Sequence, residues 1–241
     1  IALRDVKGIY KGSLPWRDTH LRIRGGAVYA LQRTFLVDWY FVDRTLVTNS
    51  KYYPPMPWRI DNNCLVQVVT SSPIAKWPDI MQGYVRILLE AKNYVYMESP
   101  YFLPTEQVLF AMRTAALAGV DVRLMIPHHS DSRLLELSSM SFVTEVLEAG
   151  VKIMLYEAGF NHSKLLVADD ALCTCGSTNI DFRSFENNFE SNVFIYDRTT
   201  ALRMKEIFIS DEQECVDFLS VYSERKRPFM HRLAESLVRV F

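Results

Sequence analysis

Segments with the pattern of β-strands alternate with segments of helical periodicity through the middle of the chain. The strand-like segments span 64–70, 94–97, 120–126 and 151–156, and the helical segments span 79–91, 105–118 and 132–149. Strands that alternate with helices of this length are typical of a sheet covered by helices. The alternation therefore predicts an α/β fold.

The composition is that of an ordinary globular protein. The 241 residues carry a formal net charge of −1, and a chain of this length can form one large domain or two small ones. Because dedicated nucleic-acid binders usually have a basic excess, we expect no nucleic-acid partner. The sequence has no recognisable signal peptide and no apolar run of membrane-spanning length. Its four cysteines have no zinc-site spacing, which predicts reduced thiols in a cytosolic setting.

One stretch combines groups that suit phosphate chemistry. His162 and Lys164 alternate at the start of an apolar run, so a strand there would direct both side chains to one face. A second strand is predicted from Ala171 to Cys175, and small and amide donors for anionic oxygens follow it at Gly176, Ser177 and Asn179. The pattern predicts phosphoryl transfer through a histidine, with no metal and no cofactor. The alternative is an ordinary β-hairpin that exposes a His and a Lys.

Two parts of the chain resemble each other, namely residues 16–39 and 189–210. Both follow a strand-then-helix pattern, and in register Asp18 aligns with Glu190 and Thr19 with Ser191. We expect the same unit to be used twice. By this register a first His-x-Lys motif would precede Ile1, so we expect the chain to be a piece of a longer protein.

The repeat predicts the domain organisation. Residues 1–50 are interpreted as the tail end of an N-terminal repeat, 51–63 as a linker rich in proline and aromatic residues, and 64–241 as a C-terminal domain with one His-x-Lys motif. An alternative for the linker is contact with a membrane surface, where amphipathic aromatics are favoured. That contact would involve Tyr52, Tyr53, Met56 and Trp58.

The motif is similar to the signature of the phospholipase D superfamily: His-x-Lys, four residues, Asp, six residues, Gly-Ser, then Asn. Further segments at 16–23, 99–104 and 127–132 resemble the C-terminal portion of the bacterial cardiolipin synthases, in the order of that family. The resemblance implies a phospholipase D-like mixed sheet flanked by helices on both faces. It also implies transfer of a phosphatidyl group between two phosphatidylglycerol molecules through a phosphohistidine, with release of glycerol. Other members of the family use a different phosphatidyl donor.

The resemblance also implies partners and a location. The partners are phosphatidylglycerol, an anionic membrane surface, and either a missing N-terminal repeat or a second copy of the chain. The location is the cytoplasmic side of the bacterial inner membrane for the full-length protein.

The resemblance assigns roles to seven residues. His162 is expected to be the proton donor and later the base, with the upstream His as nucleophile, although the two roles could be reversed. Lys164 and Asn179, with Ser177 as a weaker candidate, would hold the phosphate oxygens. Glu190 would accept a hydrogen bond from a catalytic His, and Asp18 would do so for the other His; alternatively, both are surface acids. Asp169 is expected to be a structural turn residue.

Two other functions remain open. One is a homodimeric phosphodiesterase or nuclease of the same superfamily, with one motif per chain. The other is an inactive half-domain that folds without turning over a substrate, because one motif provides only half of the acid–base pair.

Overall fold

The computed structural model describes residues 15–55, 64–130 and 133–222. Its strands are β1 (Trp16–Arg17), β2 (Leu65–Ser71), β3 (Tyr94–Glu98), β4 (Phe102–Leu103), β5 (Asp121–Pro127), β6 (Lys152–Tyr156), β7 (Phe160–Asn161), β8 (Leu165–Ala168), β9 (Leu172–Gly176), β10 (Ile180–Asp181), β11 (Glu190–Tyr196) and β12 (Cys215–Asp217). Its helices are α1 (Ala27–Asp43), α2 (Asp79–Glu90), α3 (Glu106–Leu117), α4 (Arg133–Glu148), α5 (Arg198–Glu212) and α6 (Phe218–Tyr222). A 3₁₀ turn at Ser50–Tyr52 and a π-helical turn at Arg183–Asn187 complete the elements.

Eight strands form one mixed sheet in the order β12-β6-β5-β3-β8-β9-β11-β2. The pairs β3–β5 and β5–β6 are parallel, as expected for strands joined by crossover helices. The remaining neighbours are antiparallel. The predicted α/β fold with a mixed sheet is confirmed.

Helices cover both faces of the sheet, so its central strands are buried throughout. In β3, Val95 and Met97 face a core shared with α2, α3 and α4, whereas Tyr94 and Tyr96 face a second core shared with α5. Strand β8 divides in the same way, because successive side chains point to opposite faces. A strand buried on both faces is apolar throughout rather than alternating, which explains its continuous apolar run.

The strand expected at residues 19–23 is not present. Strand β1 is confined to Trp16–Arg17 and pairs in parallel with Phe160–Asn161 of β7. Residues 18–24 are irregular and have no ladder partner within the described ranges, although Leu21 and Ile23 pack against the α5 side of the sheet. A strand requires a neighbouring strand for its backbone groups, and here the ladder ends at Arg17.

Several expectations fall on residues outside the described ranges: the Met56 and Trp58 part of the proposed membrane contact, and the start and end of the predicted domains. The other two residues of that proposed contact, Tyr52 and Tyr53, lie within the described ranges and are each 41% exposed. Within the described ranges, none of the helices has the length and apolar character needed to cross a bilayer.

Candidate active site

The predicted strand through His162 and Lys164 is wrong in detail. Strand β7 ends at Asn161, β8 begins at Leu165, and residues 162–164 between them are irregular. The chain changes partners at this point: β7 pairs with β1, whereas β8 pairs with β3 and β9. The Asn161 side chain stabilises the bend, because its Oδ1 accepts the backbone N–H of Ser163 at 3.0 Å.

His162 is held by a carboxylate from the first part of the chain. Its Nδ1 lies 3.1 Å from Oδ2 of Asp18, and its ring lies 4.8 Å from the Trp16 ring, centroid to centroid. Because the carboxylate occupies Nδ1, the imidazole's other nitrogen, Nε2, is left for proton transfer or attack. Burial alone would raise the pKa of Asp18, but hydrogen bonds from His162 and from the Thr19 backbone, together with the charges of His162 and Lys164, lower it below its ordinary value.

The sequence left open which histidine each of the two acids, Asp18 and Glu190, would serve, and in the structure Asp18 is paired with His162. The cause is the β1–β7 ladder, which places Arg17 opposite Asn161 and so brings the next residues, Asp18 and His162, together. The backbone N–H of His162 also donates to Arg17 O at 2.7 Å. Sequence spacing contains no signal of a contact between residues so far apart.

The arm that carries Asp18 is fixed to α5. Nε and Nη2 of Arg17 donate to Asp211 at 3.0 and 2.7 Å, which makes a bidentate ion pair. Gly159, next to β7, lies so close to Pro15 that a Cβ would stand 2.1 Å from the Pro15 carbonyl oxygen. These contacts, which sequence reasoning missed, place Asp18 against the histidine.

Lys164 lies beside His162 in a mostly buried position. Its Nζ donates to the His162 carbonyl oxygen at 2.6 Å, and the residue is 7% exposed. Burial lowers the pKa of Lys164 to about 8, and the charges of Asp18, Glu190 and Asp181 oppose that shift. Lys164 is therefore a buried cation whose charged form is favoured by three acidic side chains.

Ser177 and Glu190 form a second cluster at the end of β9 and the start of β11. Glu190 Oε2 accepts the Ser177 hydroxyl, and its Oε1 accepts Nδ2 of Asn188 at 3.2 Å. The Ser177 hydroxyl also accepts the backbone N–H of Ser191 at 3.0 Å. Glu190 is thus bound to the residues around it rather than to His162.

Asn179 lies next to an acid that the sequence did not single out. Its Nδ2 donates to Asp181 at 3.1 Å, while its buried Oδ1 has no hydrogen-bond partner among the described residues. Asp181 is 7% exposed and also accepts the backbone N–H of Ser184 at 2.6 Å. The amide expected to bind phosphate is therefore bonded to a carboxylate in this structure.

Asp169 lies at the opposite end of β8 from Lys164. Its carboxylate accepts three backbone N–H groups, those of Lys92, Asn93 and Tyr94, at 2.7 to 2.9 Å. These bonds lower the pKa of Asp169 in spite of its burial. Asp169 therefore joins the β8–β9 turn to the start of β3, and the structure does not bring it to the other six predicted site residues.

Within the described ranges, no group of three His, Cys, Asp or Glu side chains is arranged to hold a metal ion. The site instead offers an imidazole, an ammonium, hydroxyls and amides. These groups can transfer protons and neutralise phosphate oxygens.

Comparison with known proteins gives consistent similarities. A family described as "Cardiolipin synthase, PLD-like domain" matches residues 84–212. The chain is 40% identical over 229 residues to a cardiolipin synthase of Clostridium perfringens, and 40% identical over 227 residues to one of Geobacillus thermodenitrificans. Each alignment covers 93% of this chain but 48% and 45% of those proteins. The chain thus spans about half the length of the curated relatives it matches.

Two solved structures are similar in fold. Nuc, a phospholipase D family member from Salmonella typhimurium, has a TM-score of 0.56 at 19% identity, over 65% of this chain and 99% of its own. The phosphatidylserine synthase of Haemophilus influenzae Rd KW20 has a TM-score of 0.55 at 15% identity, over 73% of this chain and 44% of its own. At these identities the likeness concerns the fold alone.

Proposed function

We propose a phosphatidyl-transfer function for this chain, which belongs to the cardiolipin synthase family of phospholipase D-like proteins. The reaction moves a phosphatidyl group from one phosphatidylglycerol to a hydroxyl of a second and releases glycerol. The observation that carries the proposal is the pair of His162 and Asp18 with Lys164 beside it. A histidine oriented by a carboxylate is suited to proton transfer, and an adjacent ammonium is suited to a phosphate.

The proposed reaction has two steps. First, the histidine of another His-x-Lys motif attacks phosphorus, the bond to the glyceryl oxygen breaks, and His162 gives its Nε2 proton to that oxygen. Then the same nitrogen of His162 takes the proton of a headgroup hydroxyl on the second phosphatidylglycerol. The oxygen of that hydroxyl attacks phosphorus and displaces the nucleophilic histidine. The covalent intermediate retains the phosphatidyl group while glycerol leaves and the acceptor enters.

The remaining residues stabilise charge in this scheme. Lys164 and Asn179 bind the non-bridging oxygens, and Ser177 is a third candidate donor. Asp18 holds a proton on Nδ1 of His162, so that Nε2 can give and take a proton. It also stabilises the imidazolium that donates in the first step and forms again in the second. For Asn179 to donate to phosphate, it must exchange its bond to Asp181 for one to the substrate.

We infer that the second histidine comes from outside this copy of the chain, because the 241 residues contain a single His-x-Lys. We place it in an upstream repeat or in a second copy of the chain. Glu190 is the repeat counterpart of Asp18, and it lies near Lys164, whose pKa it raises. We assign Glu190 the same role toward the second histidine that Asp18 has toward His162.

The proposed substrate is a membrane lipid, and this sets where the enzyme works. Phosphatidylglycerol remains in the bilayer, so the site must meet an anionic membrane surface, which we place on the cytoplasmic side of the bacterial inner membrane. We propose phosphatidylglycerol as the phosphatidyl donor because the resemblance to the cardiolipin synthases implies it.

The test uses the natural full-length protein that contains this chain, together with its His162→Asn variant. Each is incubated with vesicles of phosphatidylglycerol, and cardiolipin and glycerol are measured. We expect one glycerol per cardiolipin from the wild type and no product above background from the variant. Cleavage of DNA without cardiolipin formation would instead indicate a nuclease, and absence of both activities would indicate an inactive domain.

A further inference from the structure

A buried acid lies behind the histidine loop and has no place in the mechanism above. Glu98 is the last residue of β3, in the middle of the sheet, where it is opposite Leu165 of β8 and Met125 of β5. It is 1% exposed. A carboxyl group in such a position is costly unless it is neutral or well bonded.

The carboxyl is connected to both neighbours of His162. Oε2 of Glu98 accepts Nδ2 of Asn161 at 3.2 Å, and Oδ1 of Asn161 accepts the backbone N–H of Ser163 at 3.0 Å. Asn161, Ser163 and Glu98 are all buried. The irregular segment 162–164 is thus bonded through Asn161 to the rigid end of a central strand.

The same network reaches the arm that carries Asp18. The Ser163 hydroxyl lies 3.0 Å from the Thr19 hydroxyl, and the Thr19 backbone N–H donates to Asp18 at 2.9 Å. A chain of polar contacts therefore leads from Glu98 through Asn161, Ser163 and Thr19 to the acid that orients the histidine.

We propose that Glu98 is a positioning residue: through Asn161 and Ser163, its carboxyl holds the His162 loop in register with Asp18. This inference rests on the proposed function for its effect on catalysis, but not for its effect on the His162–Asp18 geometry. Catalytic geometry is sensitive to such support, since a displacement of about 1 Å can lower the rate about 10²-fold.

The surroundings of Glu98 favour its neutral form. Burial, together with the charge of Asp211 on α5, raises the pKa of Glu98 to about 7. Arg17 on β1 and hydrogen bonding by Asn161 and Ser163 oppose that shift. Glutamine has the size of a protonated glutamate and retains an oxygen that can accept the Asn161 bond, whereas leucine is of similar size and has no acceptor.

The experiment compares Glu98→Gln and Glu98→Leu in the natural full-length protein. The first readout is the NMR signal of the His162 Nδ1 proton in the hydrogen bond to Asp18, and the second is phosphatidyl transfer from phosphatidylglycerol vesicles. We expect Glu98→Gln to retain the signal and to lower kcat less than about 3-fold. We expect Glu98→Leu to shift or broaden the signal and to lower kcat about 10²-fold, with KM little changed.

Two further variants separate positioning from folding. Glu212→Leu removes a largely buried acid that binds Arg123 toward the amino-terminal end of β5, and it should leave the signal unchanged. Ser163→Ala interrupts the network with a smaller change in volume, and it should also alter the signal. It replaces Glu98→Leu in the comparison if that variant does not fold. An unchanged His162 signal in a folded Glu98→Leu, or in Ser163→Ala when Glu98→Leu does not fold, overturns the proposal. If Glu98→Leu changes the His162 signal but the wild-type protein shows no phosphatidyl transfer, only the proposed function is refuted.

Discussion

His162 and Asp18 are 144 residues apart in the sequence, yet their side chains lie 3.1 Å from each other, Nδ1 to Oδ2. The contact is built by the backbone, because the short ladder between β1 and β7 ends immediately before both residues. Arg17 strengthens it from the other side through the ion pair with Asp211. The histidine therefore depends for its orientation on a part of the chain outside the eight-stranded sheet.

Asp18→Asn tests that dependence. The amide cannot hold the imidazole in the same tautomer or stabilise its cation, so we expect kcat to fall about 10²- to 10⁴-fold with little change in the melting temperature. The measurement is cardiolipin formation together with thermal unfolding. Asp38→Asn, an exposed acid on α1, is the matched control and should behave as the wild type. Equal activity of the two variants would contradict a role for Asp18.

Lys164 should set the alkaline limit of activity. Its pKa is lowered to about 8 by burial, so its charge is lost as the pH rises through about 8, and phosphate binding weakens there. We expect the rate to fall above that pH and, for Lys164→Arg, the fall to move to higher pH, because guanidinium stays protonated. The pH–rate profiles of both proteins check this, and an identical alkaline limb in the variant would refute it.

The same shift affects stability. Between about pH 8 and the ordinary lysine value of 10.5, the unfolded chain binds a proton at Lys164 that the folded chain has released. The contribution of this residue to the free energy of unfolding therefore rises with pH in that window and is constant below it. Lys164→Met should lack this rise. Urea unfolding of wild type and variant at several pH values between 7 and 10.5 measures the difference.

The part of the molecule that sequence reasoning predicted well is the part that repeats a simple pattern. The strands of the parallel half, 121–127 among them, are bounded by helices and buried on both faces, so their periodicity and length identify them. That the sheet would be mixed was implied by the resemblance to the phospholipase D superfamily and not by these segments. His162, Lys164 and Ser177 were predicted as site residues from their spacing, which is a local property, and their roles stay predictions.

What could not be predicted depends on contacts between distant segments. The loop at 162–164 is irregular because the chain changes partner strands there. The sequence shows the same alternation of residues whether or not such a change occurs, so the pattern could not reveal it. For the same reason, the sequence left open which of the two acids, Asp18 or Glu190, pairs with His162. Glu98 carried no signal, since a buried acid at the end of a strand is indistinguishable in sequence from an exposed one.

Gly159 should be required for the docking of the Asp18 arm. An added Cβ would meet the Pro15 carbonyl oxygen at 2.1 Å, and a backbone atom cannot rotate away as a side chain can. We expect Gly159→Ala to destabilise the fold by about 1–3 kcal/mol and to remove the His162–Asp18 hydrogen bond. Ala158→Ser, at the exposed neighbouring position, is the control. Urea unfolding and the NMR signal of His162 measure the two effects, and a variant that keeps both would contradict the close approach.

Asp169 should act on stability rather than on chemistry, although it belongs to the motif. Its carboxylate accepts the backbone N–H groups of residues 92–94, and without it these three N–H groups would lose their hydrogen-bond acceptor. We expect Asp169→Ala to lower the free energy of unfolding by about 1–3 kcal/mol while the kcat of the folded enzyme remains within a factor of about 3. The residue has a φ of 50°, so Asp169→Gly should recover about 1 kcal/mol relative to Ala by relieving the left-handed backbone. Unfolding curves and rates at a temperature where each variant is folded separate the two effects. A large loss of kcat in the fully folded variants would place Asp169 in the catalytic machinery instead.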